Sequence, residues 1–442
     1  MTIVLIAIFV IGYLLITCEH PLHVNKATFA LIMCGLLWAV YALMSHDAEM
    51  NEDILVHLGD TCEILVFLIG AMTIVEVIDR YGGFNIITKY ISASNKKKLL
   101  WIMSVFTFFM SAILDNLTTS IIMVTLVGGL LRKQSDRWIF ASMIVIASNS
   151  GGAFSPIGDV TTIMLWMGNK VSTSRLLGSL ILPSLVSVIV PLLIATQFIG
   201  NAGVNTEGTH THGHMIIYSR YPRVSKFVLI VGVCSLIFVP IFKTLTGLPP
   251  FMGIILALGM VWLTTEIISH KYKFDSSWGG RVSQAAKSID MSTILFFLGI
   301  LMAVAALSQA GILSQLASWM DGNIHEPITM TTIIGFLSSI IDNVPLVSAC
   351  IKMFGDVSAL AATDPTYYSM FAPDGMFWIL LTFTAGVGGS LLIIGSAAGV
   401  VAMGIEKIPF FWYLKRISLM ALAGYLSGIF VIWLESLCPW FM

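Results

Sequence analysis

Charge is scarce in this 442-residue sequence: Lys and Arg total 23, Asp and Glu total 24, and together they make up 11% of the chain. With a formal net charge of -1 and no basic stripe, nothing favours nucleic acid as a partner. Cysteine is almost as sparse. The six that occur (Cys18, Cys34, Cys62, Cys234, Cys350 and Cys438) stand singly, without the short spacings of a disulfide framework or a zinc site, and read as apolar fillers. Residues 1–17 lack a basic start and a small-x-small cleavage site, so they are expected to be a first membrane span and not a signal peptide. No cofactor is expected.

Apolar residues are what the chain has in abundance. They make up 57% of it and the mean hydropathy is +0.92, more apolar surface than one soluble core could bury, which implies a polytopic membrane protein. Stretches of spanning length fall at 1–17, 24–45, 64–81, 176–200, 226–243, 250–270, 291–308 and 411–434. Four further regions, 99–131, 138–169, 327–354 and 374–404, are apolar but interrupted by glycines and polar residues.

Two of these interruptions carry the same dipeptide in nearly the same apolar setting, Ser111-Ala112-Ile113-Leu114-Asp115-Asn116 and Ser338-Ser339-Ile340-Ile341-Asp342-Asn343. A carboxylate at bilayer depth costs roughly 2.5 to 3.5 kcal/mol on insertion scales, so its repetition points to use. As one helix, 99–131 would run about 50 Å, against a hydrocarbon core of about 30 Å. Its flanks are basic on both sides (Lys96, Lys97 and Lys98 before, Arg132, Lys133 and Arg137 after), which places both ends in the cytoplasm. A re-entrant hairpin with Asp115-Asn116 at its tip follows. The region 327–354 has acidic flanks (Asp321 and Glu326 before, Asp356, Asp364 and Asp374 after a single Lys352), so it is expected to be a hairpin opening outward. Threading the other spans between these anchors leaves only Lys170 and Arg175 on the unfavoured side.

An internal repeat runs through the chain. Phe67-Leu68-Ile69-Gly70 matches Phe296-Phe297-Leu298-Gly299 and Gly82 matches Gly311 at a spacing of 229; the Asp-Asn pairs follow at 227, then Gly151-Gly152 with Gly388-Gly389 and Gly158 with Gly395 at 237. The expected architecture is all-α, with a first repeat over 1–200, a cytoplasmic loop over 201–225 and a second repeat over 226–442. Each repeat has five spans and one hairpin, and that odd number of crossings inverts one against the other. Inverted repeats whose broken helices meet at the midplane are the plan of secondary transporters.

The first broken helix reads Ser148-Asn149-Ser150-Gly151-Gly152-Ala153-Phe154-Ser155-Pro156-Ile157-Gly158-Asp159-Val160-Thr161-Thr162. Unwound carbonyls with carboxylate, carboxamide and hydroxyl side chains suit a hard monovalent cation. A proline kink with hydroxyls satisfying freed backbone would not require Asp159. In the second, Gly386-Val387-Gly388-Gly389-Ser390 to Gly395-Ser396-Ala397-Ala398-Gly399, glycine replaces Asn149 and Ser396 replaces Asp159. The acidic ligands are therefore expected to concentrate on Asp115 and Asp159, with Asp342 supporting. Desolvation favours the protonated acid and a bound cation favours the carboxylate, so proton and cation compete, which is the minimum an exchanger needs. Glu76 is a weaker candidate for a proton route. His210, His212 and His214 could titrate or bind a transition metal but suit an ordinary solvated loop, and His57, beside Asp53, Asp60 and Glu63, carries no assignment alone.

The segments Ser111-Ala-Ile-Leu-Asp-Asn-Leu-Thr-Thr-Ser120 and Ser155-Pro-Ile-Gly-Asp-Val-Thr-Thr162 closely resemble the signature segments of NhaD-type sodium/proton antiporters, in the ion transporter superfamily. The likeness extends over essentially the whole chain. It implies exchange of cytoplasmic Na+ or Li+ for external H+, a scaffold with a moving transport domain, and a homodimer. The ion and proton site it implies comprises Asp115 and Asn116, with Thr118 and Thr119 beside them, then Asn149, Asp159, Thr161 and Thr162. Asp342, Asn343, Ser390 and Ser396 are the second-half counterparts, and the cation itself is expected at Asp115, Asn116, Asp159 and Thr162. Dicarboxylate carriers of the superfamily typically show Ser-Asn-Thr at both tips, where this chain has Asp-Asn.

Three rival readings remain. An exporter of arsenite or another small anion would have fewer acids at the site and a thiol or basic group, yet only Cys350 falls in the four broken elements. An intramembrane aspartyl protease would want Gly-x-Gly-Asp, but Pro156 takes the first glycine's place. A channel fits the topology, although opposed hairpins suit alternating access better. The expected location is the inner membrane of a bacterium, multi-pass.

Overall fold

Long apolar runs without internal breakers become helices, because every backbone N–H and C=O in a bilayer must be satisfied within the chain. A computed structural model describes residues 1–17, 19–22, 24–45, 50–88, 95–200, 221–272, 282–354 and 364–437, and every regular element among them is helical. Eight helices are long and apolar enough to cross a membrane: Lys26–Ser45, Met50–Arg80, Lys96–Leu114, Thr173–Phe198, Pro222–Thr246, Pro250–Lys271, Met291–Gln309 and Ser418–Ser436. A ninth results if Ala397–Glu406 and Phe410–Arg416, which meet at 114°, count as one span.

The first expected span keeps its bounds to within one residue but is short, and the third is longer than expected. Residues 2–17 form the helix Thr2–Thr17, whose 16 residues reach only about 24 Å, short of the hydrocarbon thickness. The span expected over 64–81 begins instead at Met50 and runs 31 residues to Arg80. Hydropathy registers where polarity starts, whereas a helix ends only where something stops it. Nothing does between Met50 and Ile64, so Glu52, Asp53, His57, Asp60 and Glu63 ride on the same helix. The His210, His212 and His214 loop lies outside the described residues.

The four interrupted regions each resolve into two helices. Lys96–Leu114 and Asn116–Leu130 meet at Asp115 and pack on one another; Pro327–Ser338 and Asn343–Met353 meet across 339–342. Gln134–Ala153 gives way over 154–159 to Val160–Met167, and Met376–Gly388 over 389–396 to Ala397–Glu406. Matching elements make matching contacts. Ser111 Oγ donates to the Ser148 carbonyl at 2.6 Å, and Ser338 Oγ to the Ala385 carbonyl at 2.8 Å. A Cβ at Gly158 would stand 2.8 Å from the Ser111 carbonyl oxygen, and one at Gly395 would stand 2.5 Å from that of Ser339, so each break fits under its neighbour only as glycine. Across the halves, Asn116–Leu130 packs on Ala397–Glu406 and Asn343–Met353 on Val160–Met167. The interrupted elements of the two halves therefore pack against one another. Around them, Thr173–Phe198 packs along Ser418–Ser436, and Lys26–Ser45 along Met291–Gln309.

Candidate functional site

Asp159 caps the helix Val160–Met167, its Oδ1 accepting from the Thr161 N–H and hydroxyl, each at 3.0 Å. Only 2% of it is exposed, and among the described residues no Lys, Arg or His pairs with it. A buried carboxylate without a basic partner needs other donors or a cation. Asn116, first residue of its helix, donates from Nδ2 to Asp159 Oδ2 at 2.7 Å and to Asn149 Oδ1 at 3.1 Å. Asn149 Nδ2 donates in turn to Ser390 Oγ and Ser396 Oγ, both at 2.9 Å. The chain Asp159, Asn116, Asn149, Ser390 and Ser396 thus joins three of the four interrupted elements through side chains alone.

Around this network are further hydroxyls, that of Tyr413 not singled out in the sequence. The Tyr413 hydroxyl donates to the Ser390 carbonyl at 2.7 Å, and Ser148 Oγ lies 2.7 Å from Ser120 Oγ. Thr119 and Thr162, both expected at the site, are buried and their hydroxyls meet no partner among the described residues, so both have donors and lone pairs to offer a guest.

The two Asp-Asn copies are placed differently. Asp115 occupies the left-handed region at φ 82, unusual for a residue with a side chain, and its carboxylate accepts from the Thr118 N–H at 2.7 Å and hydroxyl at 2.9 Å. Both Asp342 and Asp115 lie within electrostatic reach of Asp159, and neither is joined to it by a hydrogen bond among the described residues. Asp342 has an ordinary backbone at φ -49, its N–H donates to the Tyr13 hydroxyl at 2.9 Å, and its Oδ2 lies 3.5 Å from Lys26 Nζ. Asn343, next in chain, is buried. Tyr13 and Lys26 were missed in the sequence because an aromatic in an apolar run and a lysine at a span edge look like ordinary membrane anchors. Glu76 pairs with Arg80 at 2.7 Å.

Two cavities flank the centre at different heights on Met50–Arg80. One, of about 380 Å³, is lined by Met72, Val75, Glu76 and Asp79, by Lys26, Thr118 and Asp290, and by Ala397, Val400 and Val401 of the helix that Ser396 caps. The other, of about 210 Å³, is lined by His57, Asp60 and Glu63, by Met164 and Met167 of the helix that Asp159 caps, and by Ser348 and Lys352. Asp60 and Glu76 lie about 24 Å apart along the helix axis, so the cavities lie well apart along that helix.

Many apolar spans around a buried polar cluster at broken helices define a multi-pass membrane carrier. The chain belongs to the family described as Citrate transporter (CitMHS), whose model matches residues 3–372, and within it to the NhaD-type sodium/proton antiporters. It is 41% identical over 424 residues to Sodium/proton antiporter 2 of Arabidopsis thaliana, covering 96% of this chain and 97% of that protein. Sodium/proton antiporter 1 of the same plant is 43% identical over 423 residues, with 96% and 70% covered. The Na(+)/H(+) antiporter NhaD of Vibrio parahaemolyticus is 30% identical over 438 residues, with 91% and 98% covered.

Proposed function

We propose that this protein exchanges Na+ or Li+ for H+ across its membrane by alternating access, with cation and proton competing for buried carboxylates. The observation that carries the reading is the buried Asp159 carboxylate, which has no basic partner among the described residues and is bonded to Asn116 and through it to Asn149 and the two serines. An N–H of Asn116 stands where a cation would stand. Turning that carboxamide would present its oxygen to an arriving Na+ beside Asp159 and the free Thr162 hydroxyl. Asp115, one residue before Asn116, supplies the second carboxylate. The names of the relatives agree with cation/proton exchange.

The basic flanks of 96–98 and 132–137 assign the larger cavity to the cytoplasm and the smaller to the outside. Matched contacts in the two halves support an inverted repeat in which the Asp115 and Asp342 tips approach from opposite faces. Protonated or cation-loaded, the cluster is near neutral and can move; with bare carboxylates its transfer through a low dielectric is costly, and that couples the fluxes. A homodimer, implied by the family, completes this reading.

The family description names citrate, and a small-anion exporter is the related alternative. Carboxamides and hydroxyls can hydrogen-bond an anion, but the buried Asp159 carboxylate among them disfavours an anionic cargo by like-charge repulsion. Everted vesicles carrying a pH-sensitive dye provide the test. Adding NaCl or LiCl at mildly alkaline pH is expected to dissipate an imposed proton gradient; correctly inserted protein that responds to neither ion rejects the proposal.

A further inference from the structure

Three carboxylates approach the buried cluster and only one has a basic partner. Asp115 and Asp159 meet no Lys, Arg or His in an ion pair among the described residues, whereas Asp342 Oδ2 lies 3.5 Å from Lys26 Nζ. Lys26 belongs to a different part of the molecule. It begins the helix Lys26–Ser45, which packs chiefly on Met291–Gln309 and Thr2–Thr17. In the same position its ammonium also lies 4.3 Å from the centroid of the buried Phe296 ring, a cation–π contact made alongside the ion pair. In the larger cavity it is the one base among the described lining residues, facing Glu19, Glu76, Asp79 and Asp290.

The strength of the Lys26–Asp342 pair decides what it can be used for. Both side chains are partly exposed, at 23% and 16%, and the separation is at the long end for an ion pair. A partly solvated pair of this kind shifts an equilibrium by about fivefold at most, too little to lock Asp342 permanently and enough to bias it. An ammonium at a carboxylate presents the same charge as an alkali cation, on a flexible stem that can retreat.

We propose that Lys26 is a tethered competitor for the transported cation: it holds Asp342 while the site is empty and gives it up when a cation enters from the acidic cavity. The proposal rests on the cation/proton exchange reading and adds to it a residue that sets cation affinity. Lys26 touches no cargo in this scheme; it acts through Asp342. It also explains why two Asp-Asn tips of nearly identical sequence need not contribute equally, since only one has its charge answered from within the protein.

Half-saturation for Na+ and maximal rate, measured in everted vesicles for Lys26→Met, Lys26→Arg and the parent, test this. Lys26→Met is expected to lower half-saturation by about fivefold, Lys26→Arg to retain most of the parent value, and Lys26→Met to have no effect on half-saturation in an Asp342→Asn background. A lower maximal rate with unchanged half-saturation would show a lysine that only braces the fold, and overturns the proposal. The same fall in the Asp342→Asn background overturns it too. If Lys26→Met inserts poorly, Lys26→Gln takes its place, and the Na+ dependence of thermal stability in the purified protein reads the same competition without transport; no shift to lower Na+ there refutes it. A parent protein that answers neither Na+ nor Li+ fails the exchange reading itself, whereas an active parent with a silent Lys26→Met fails this inference alone.

Discussion

Asn149→Ala is the substitution that most directly tests the buried network. Asn149 makes three side-chain hydrogen bonds, donating to Ser390 and Ser396 at 2.9 Å and accepting from Asn116 at 3.1 Å, and the two donated bonds cross from the first half of the chain to the second. Intramembrane hydrogen bonds average about 0.6 kcal/mol each, so losing three weakens the assembled cluster by about 2 kcal/mol, about thirtyfold in its population. The second half cannot compensate, because Gly386 stands at the corresponding position and has no side chain to offer. Na+ half-saturation in everted vesicles should therefore rise by an order of magnitude while the protein still inserts, and the purified variant should lose its Na+-dependent rise in thermal stability. If half-saturation stays within about twofold of the parent, the crossing bonds do not hold the ion site together, and the reasoning that places the site there is wrong.

Asp159→Asn and Asp115→Asn are each expected to abolish the Na+ response without loss of insertion, whereas Asp342→Asn should raise Na+ half-saturation and leave transport measurable; equal loss in all three would indicate a symmetric site. Gly158→Ala places a Cβ 2.8 Å from the Ser111 carbonyl and from Gly152 Cα, and thermal melts should show a loss of about 2 kcal/mol, while Gly178→Ala, with nothing within 4 Å, serves as a neutral control. Arg137→Ala leaves Glu406, whose side chain is 5% exposed, without the guanidinium 2.8 Å away, and should cost about 3 kcal/mol. Adding Glu406→Gln to that variant should recover part of the loss, and no recovery would show that charge burial is not the cause.

How much of this was legible in the sequence depended on what each residue must satisfy locally. Glycine, proline and polar residues inside an apolar run interrupt a helix wherever the chain goes afterwards, so the breaks at Asp115, 154–159, 339–342 and 389–396 could be read from composition and the repeat. The start of Met50–Arg80 could not, since no local signal ends a helix merely because its residues become polar. Partners across the fold were harder still. Nothing near Asn149 in sequence announces Ser390, 241 residues away, and Lys26 meets Asp342 only because Lys26–Ser45 and the second tip converge.

The Asp-Asn copies show where sequence similarity stops constraining chemistry. Both aspartates begin a helix and accept from its first turn, Asp115 from Thr118 at 2.7 Å and Asp342 from Val344 at 3.4 Å. Yet one stands at φ 82 and the other at φ -49, one has a threonine hydroxyl and the other a lysine ammonium. A residue with a side chain held at positive φ costs on the order of 1 to 3 kcal/mol, and persists only where surrounding packing fixes it. The first tip bears that cost beside the buried carboxylate, while the second has relaxed geometry and an internal counter-ion. The residue after the strained Asp115 is Asn116, which bonds Asp159, while Asp342 is the tip whose lysine partner the proposal has exchanging with a cation. Two copies of one dipeptide thus sit in different surroundings, one at a strained tip whose next residue bonds Asp159 and one beside a lysine.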